Sequence, residues 1–249
     1  MKGRGTLLLQ QAGVFVAIVV VWEIAVRTGI AKPYLYGQPS GILAKAWVLA
    51  GNGELWRHFK LTAIEAILGF CIGTFAGSGC GLALWLVPRL AQVLRPLFIA
   101  INGVPKIALA PLIIVWFGIE IEAKIAIAAI LTFIVSLITT FNGTREVDDD
   151  LVRLMRSLGA TRLQAWRKVV APATLPWILS AMRLNIGFAL IGAVVGEYIS
   201  SKEGLGYLVY YSGVLYDLNA VWVGIISLMA LALVLDYVVG ELDRRLRWR

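Results

Sequence analysis

Charge is scarce in this sequence of 249 residues: only 15% are Asp, Glu, Lys or Arg, against about 25% in a soluble domain. There is one histidine, His58, and there are two cysteines, Cys71 and Cys80. The cysteines lie in one apolar run, where a helix would separate them by roughly 13 Å along its axis, too far for a disulfide. Together the three residues offer no metal-ligand spacing. No GxxxxGK[ST] phosphate loop or GxGxxG turn occurs, so any nucleotide chemistry must belong to another chain. A soluble enzyme, a secreted disulfide scaffold and a disordered chain are all excluded. The formal charge of +8 would point to nucleic acid in a soluble protein, but here the basic residues read as topology signals and no nucleic-acid partner is expected.

What is abundant is hydrocarbon. Hydrophobic residues make up 59% of the chain and the mean hydropathy is +0.82. They are bunched into runs near the ~20 residues a helix needs to cross a bilayer. The expectation is an all-α integral membrane protein with six transmembrane helices, at about 7–26, 60–87, 95–117, 123–141, 174–198 and 219–240. An even number puts both termini on one side. Fourteen Lys and Arg flank the spans on that side and seven on the other, with Lys106 and Arg183 inside spans, so the positive-inside rule makes the termini cytoplasmic. The first span is read as retained and not as a cleaved signal, because Gln10, Gln11 and Glu23 interrupt it and no small-x-small site follows. Residues 1–57 form an N-terminal helix plus an outer amphipathic segment, ILAKAWVLA, with Trp47 at headgroup level. Residues 58–242 form the main transmembrane domain and 243–249 a basic tail.

Within the spans, Gly69, Gly73, Gly77 and Gly81 line one helix face and let another backbone approach, either within the chain or between two copies. Asn102, Gly103, Val104, Pro105 and Lys106 fall mid-span, where proline removes a backbone hydrogen bond and lysine must avoid lipid, which predicts a kinked, pore-facing helix. Intramembrane charge is costly enough to suggest function, making Glu65, Lys106, Arg183 and Glu197 candidates for a water-filled path. Glu197 and Asp236 near span ends, and Arg183 near the cytoplasmic interface, also have the simpler option of snorkelling. The candidate path is Asn102, Pro105, Lys106, Arg183 and Glu197. Outside, SSKEGLGYLVYYSG is too apolar for a free loop and is expected to form a short helix bearing Tyr207, Tyr210 and Tyr211, as an interface anchor or a gate.

The longest inside loop is rich in start and stop signals. Asp148, Asp149 and Asp150 suit a helix N-terminus, Leu151, Leu154, Met155 and Leu158 share a face, and Gly159 ends the helix. Thr161 with Gln164 is a capping box for a second helix, RLQAWRKVV, which Pro172 and Pro176 lead into the fifth span. From spacing alone two readings stand level: a solvated connector, or a helix pair across the cytoplasmic mouth whose exposed leucines are covered by something other than lipid.

Here the stretch LVRLMRSLGATRLQAWRKVVAPATLPWILSAMRL resembles the loop motif of binding-protein-dependent ABC importer permeases. Gly159 falls on the motif glycine, and Val169, Ala171 and Pro172 on its Ile-x-Leu-Pro ending. Arg153, Leu154 and Met155 replace the Glu-Ala-Ala triplet, and Ala171 replaces the Leu. VPKIALAPLIIVWFGIE and GEYISSKEGLGYL resemble the nitrate, sulfonate and taurine group of these permeases, with agreement from about residue 33 onward. The resemblance implies a type I ABC importer permease fold with a cytoplasmic coupling helix. It implies a bacterial inner-membrane protein working as a homodimer, two cytoplasmic ATPase subunits that carry ATP and Mg while this chain binds no cofactor, and a periplasmic or lipid-anchored solute-binding protein. The docking surface would be Leu151, Leu154, Met155, Leu158, Gly159 and Ala160, with Arg153 and Arg156 at its rim, and the cargo a small anion such as a sulfonate or nitrate. Two rival classes stay open: a secondary transporter or channel acting without an ATPase, which would usually show inverted repeats or a proton or sodium site, and a membrane anchor subunit of an enzyme complex, which would usually bring His or Cys cofactor ligands; the sequence shows neither feature.

Overall fold

The computed structural model describes residues 2–247, without the side chains of 2–6, 8, 9, 99, 102, 246 and 247. Among the described residues there is no strand. Twelve α-helices run α1 (Lys2–Arg27), α2 (Pro33–Tyr36), α3 (Pro39–Gly51), α4 (Glu54–Leu86), α5 (Pro88–Gly103), α6 (Ala110–Phe117), α7 (Ile121–Arg145), α8 (Asp149–Ser157), α9 (Arg162–Ala165), α10 (Ala171–Ser200), α11 (Leu205–Val214) and α12 (Leu218–Arg247).

Five helical runs are long and apolar enough to cross a bilayer: residues 10–27 of α1, then α4, α7, the run Arg162–Ser200, and α12 as far as Arg245. The third expected span, 95–117, is not one kinked helix. It is interrupted: α5 ends at Gly103, Val104 and Pro105 are extended with ψ of 134° and 102°, a 3-10 turn covers Lys106–Leu109, and α6 follows. Proline causes this twice over, since it lacks an N–H and its ring forces the preceding residue out of the helical region. The second helix expected before the fifth span is also different. α9 passes through one π turn at Trp166–Val170 straight into α10, so the extra residue is absorbed without a break. The basic tail expected from 243 is, as far as Arg247, the end of α12.

The glycine face of α4 packs along α7. A Cβ on Gly81 would lie 2.8 Å from the Leu137 carbonyl oxygen, while Gly69, Gly73 and Gly77 stand against Ala128, Thr132 and Ser136 in turn. The regular four-residue steps on both helices show that they run parallel. Thr132 Oγ1 donates across this seam to the Gly69 carbonyl at 3.1 Å. α10 lies over the pair: Leu179, Met182, Ile186 and Ala189 form a core with Ala66 of α4 and Leu231 of α12, and Asn185 Nδ2 donates to Thr74 Oγ1 and Ser136 Oγ at 2.8 and 2.6 Å. Without hydrophobic drive between helices, close backbone approach and such polar links are what hold a bundle in lipid.

At the Arg27 end of α1, Glu23 joins α1 to the start of α3, accepting from Ser40 N–H, Ser40 Oγ and Gln38 Nε2 at 2.8 to 3.0 Å. Trp47 of α3 is exposed while Ile42 and Leu49 are buried. Asp217 accepts from Ala220 N–H at 3.1 Å, starting α12, and pairs with Lys45 of α3 at 2.7 Å. Burial opposes the Asp217 charge most strongly, but the Lys45 hydrogen bond, the Ala220 N–H and the Lys45 charge together outweigh it and hold the carboxyl below its usual range. A depressed carboxyl stabilises above its unfolded pKa and loses that contribution as pH falls through the folded value.

Gly73→Ala is expected to destabilise the purified protein by about 1–3 kcal/mol, the scale of an overpacked core. Gly79→Ala on the open side of α4, where an added methyl meets nothing within 4 Å, should be neutral or slightly stabilising. Thermal melts in detergent compare the two, and equal shifts would contradict the seam. Hydrogen exchange in α3 should accelerate in the wild type only in acid, and at neutral pH already in Asp217→Asn, which still caps α12.

Candidate functional site

Three places carry the chemistry: the interruption before α6, the clamp around Glu197, and the segment from α8 to α9.

At the interruption, Gly103, Val104, Pro105, Lys106 and Ile107 face Leu131 of α7 and Phe188 and Ile191 of α10 across a cavity of about 320 Å³. Non-helical backbone at membrane depth is tolerated only where protein buries it or water lines it. Val104 and Ile107 are each 48% exposed, so this chain alone does not bury it. Pro105 and Lys106 therefore sit together at a site suited to a path. The Asn102 side chain lies outside the described residues.

Arg183 and Glu197 do not join them. They are fourteen residues apart on α10, roughly 21 Å along the helix. Arg183 is ion-paired to Asp243 of α12 at 2.6 Å, tying the middle of α10 to the last turns of α12. Glu197 is 1% exposed and accepts from Thr62 Oγ1 and Gly206 N–H, each at 2.6 Å. Around it, Gly204 N–H donates to His58 Nδ1 at 2.9 Å and Leu205 N–H to Thr62 Oγ1 at 2.7 Å. These acceptors satisfy the first N–H groups of α11, which no helix carbonyl reaches, and lock α11 onto α4 and α10. The GEYISSKEGLGYL stretch is thus a clamp in which Glu197 fits against Gly204 and Gly206, a Cβ at Gly206 meeting Glu197 Oε2 at 2.6 Å. Buried beside it are Glu65, whose Oε2 has no hydrogen-bond partner among the described residues, and Lys124, whose Nζ donates to the Ile119 and Ser200 carbonyls. Both line a cavity of about 610 Å³ that also meets Glu120, Lys202 and Glu203. On α11 Tyr207 and Tyr211 stack at 5.4 Å.

Past the Leu86 end of α4 and the Arg145 end of α7 lies the α8 segment. Asp148 caps it, accepting from Asp150 N–H at 2.8 Å. It ends in a Schellman turn, with Ala160 N–H donating to the Met155 carbonyl at 3.0 Å and Gly159 N–H to the Arg156 carbonyl at 2.9 Å. Gly159 takes φ +80°, which a side chain would strain. The capping box is present, with Thr161 N–H donating to Gln164 Oε1 at 2.7 Å. Leu151, Leu154 and Leu158 are 48%, 56% and 74% exposed, whereas Val152, absent from the expected apolar face, is the residue buried against the chain. Met155 and Ala160 are half-buried. Arg153, at the motif's acidic position, is 3.6 Å from Asp150 with both side chains exposed, and Arg156 is exposed. The segment is tied to the end of α4: Arg162 donates to the Trp85 carbonyl at 2.7 Å and Trp166 Nε1 to the Leu82 carbonyl at 2.9 Å.

Sequence reasoning missed Thr62, Asn185, Lys124 and the roles of His58, Arg162 and Trp166. Most of their partners lie 49 to 146 residues away, the nearer ones being the Ile119 carbonyl for Lys124, the His58 carbonyl for Thr62 and Glu54 for His58, and many are backbone groups. No local spacing marks such pairs, though a lone Asn or Thr in an apolar run signals interhelical bonding.

The chain matches the family described as binding-protein-dependent transport system inner membrane component over residues 69–248. The putative aliphatic sulfonates transport permease protein of Escherichia coli (strain K12) is 33% identical over 234 residues, covering 94% of this chain and 89% of that protein. The riboflavin transport system permease protein of Chloroflexus aurantiacus is 32% identical, covering 93% and 87%. Among solved structures, an inward-facing methionine ABC transporter, MetNI, aligns with a TM-score of 0.63 at 19% identity over 80% of this chain and 96% of that chain, a likeness of fold. The match over 69–248 spans well over half the chain, which therefore belongs to the binding-protein-dependent inner membrane components: it is a multi-pass ABC importer permease, noncatalytic itself, that works with a separate ATPase subunit and a solute-binding protein.

Proposed function

We propose that two copies of this chain form the path for a small organic anion, with a sulfonate as the best fit, and that both termini are cytoplasmic. Two ATPase subunits holding ATP and Mg grip Leu151, Leu154, Leu158 and the Gly159 turn from inside. A periplasmic or lipid-anchored solute-binding protein delivers cargo outside. The observation that carries this reading is the apolar face of α8, exposed beyond the spanning helices and fixed to α4 by Arg162 and Trp166. A face mounted in this way transmits displacement into the bundle, as alternating access requires. Support for the path comes from the interrupted helix at Pro105 and Lys106, since discontinuous helices mark cargo sites in transporters. Support for an anion comes from the Lys106 charge and from relatives named as permeases for aliphatic sulfonates in two organisms and for taurine.

Gly159→Leu is expected to leave the permease folded and paired while abolishing ATP-driven uptake, because the turn is strained by about 1–2 kcal/mol and the docking face is displaced. Pull-down of the ATPase and uptake into proteoliposomes read this out, and unchanged uptake would overturn the docking assignment. Lys106→Gln should lower anion uptake roughly tenfold, equivalent to ~1.4 kcal/mol, with Lys106→Arg retaining most of it. Equal uptake by all three would remove Lys106 from the path.

A further inference from the structure

At the inner end of the bundle, three arginines from three separate elements converge on one pocket of about 330 Å³: Arg95 of α5, Arg145 of α7 and Arg162 of α9. No carboxylate lines it. Arg162 is held in place, its guanidinium 5.1 Å over the Trp85 ring. Arg95 and Arg145 enter no ion pair among the described residues. Three guanidiniums around one cavity repel each other until an anion neutralises them, and their planar donor forks match phosphate oxygens.

A second cavity, of about 370 Å³, adjoins this one. Leu84 borders both, and the second is walled by Cys80, Ala83, Val87, Leu94, Phe98 and Leu137, without a charged residue. Phe98 of the apolar cavity meets Phe141 of the arginine pocket edge-on at 6.0 Å. The two together make a continuous amphipathic groove between α4, α5 and α7, with its cationic end at the level of Trp85, where an indole marks the bilayer interface. A free phosphate or sulfate would use only the first half.

We propose that this groove binds an anionic glycerophospholipid, its phosphate among Arg95, Arg145 and Arg162 and one acyl chain along Leu84, Ala83 and Leu137. The site is independent of the cargo and of the docking face. Basic pockets between helices near the inner surface are suited to acidic headgroups, and here the adjoining apolar cavity supplies the tail's share. Because Arg162 opens α9, the lipid would bridge the bundle and the base of the α8 segment.

The test uses the assembled transporter in detergent, with native mass spectrometry after adding dioleoyl phosphatidylglycerol or dioleoyl phosphatidylethanolamine. The wild type should retain phosphatidylglycerol over phosphatidylethanolamine by at least about fivefold. Arg95→Gln with Arg145→Gln should abolish that preference without changing phosphatidylethanolamine retention. Ala83→Trp, which fills the apolar cavity and leaves every arginine in place, should also weaken phosphatidylglycerol retention. Equal retention of the two lipids by the wild type, a preference that survives the double arginine variant, or phosphatidylglycerol retention unchanged in Ala83→Trp, would overturn the proposal. Displacement of the lipid by inorganic phosphate or by a short aliphatic sulfonate would also overturn it, assigning the arginines to a soluble anion, and persistence of the lipid against both supports it.

Discussion

The contact on which the rest of the structure depends is the parallel seam between α4 and α7, where four glycines meet Ala128, Thr132, Ser136 and Thr140 at backbone distance. Each glycine removes the one atom that would hold the helices apart, so carbonyls and hydroxyls of one helix touch the main chain of the other. In lipid this closeness matters more than apolar area, because tails compete equally well for any leucine. Asn185 then pins α10 onto the seam from above through side-chain groups of both helices.

Everything functional hangs from this three-helix body. The Leu86 end of its α4 holds α9 through the Leu82 and Trp85 carbonyls, and α9 carries the Gly159 turn and α8. The opposite end holds α11 through Thr62, Glu197 and His58. Its middle faces the interruption at Val104 and Pro105 across α7 and α10. Under the proposed function, a push delivered at α8 by the separate ATPase would reach the interruption and α11 through packed, hydrogen-bonded elements with few joints.

Local chemistry was legible where the cause is local. The glycine spacing of four, the Asp148 cap, the Thr161 and Gln164 box and the Gly159 stop are all written within one or two helical turns, and each is found in place. Pro105 announced a defect but not its extent, because extension over Val104 depends on what faces it. Glu197 and Arg183 looked like path charges from their depth alone. Their actual roles depend on Gly206, Thr62 and Asp243, which only the fold brings near. Val152 was overlooked because a helix face defined by leucines alone says nothing about which side meets the rest of the chain.

The central claim is that α8, α4 and α7 move as one unit when ATP is bound. Spin labels at exposed Phe75 of α4 and exposed Ser157 of α8, on a chain lacking Cys71 and Cys80 and diluted among unlabelled copies, report that unit directly by pulsed dipolar spectroscopy in the assembled transporter. The account predicts an unchanged Phe75-to-Ser157 distance on adding ATP, while the distance between Val104 labels on the two copies shifts. A Phe75-to-Ser157 distance that changes while the Val104 distance stays fixed would contradict it.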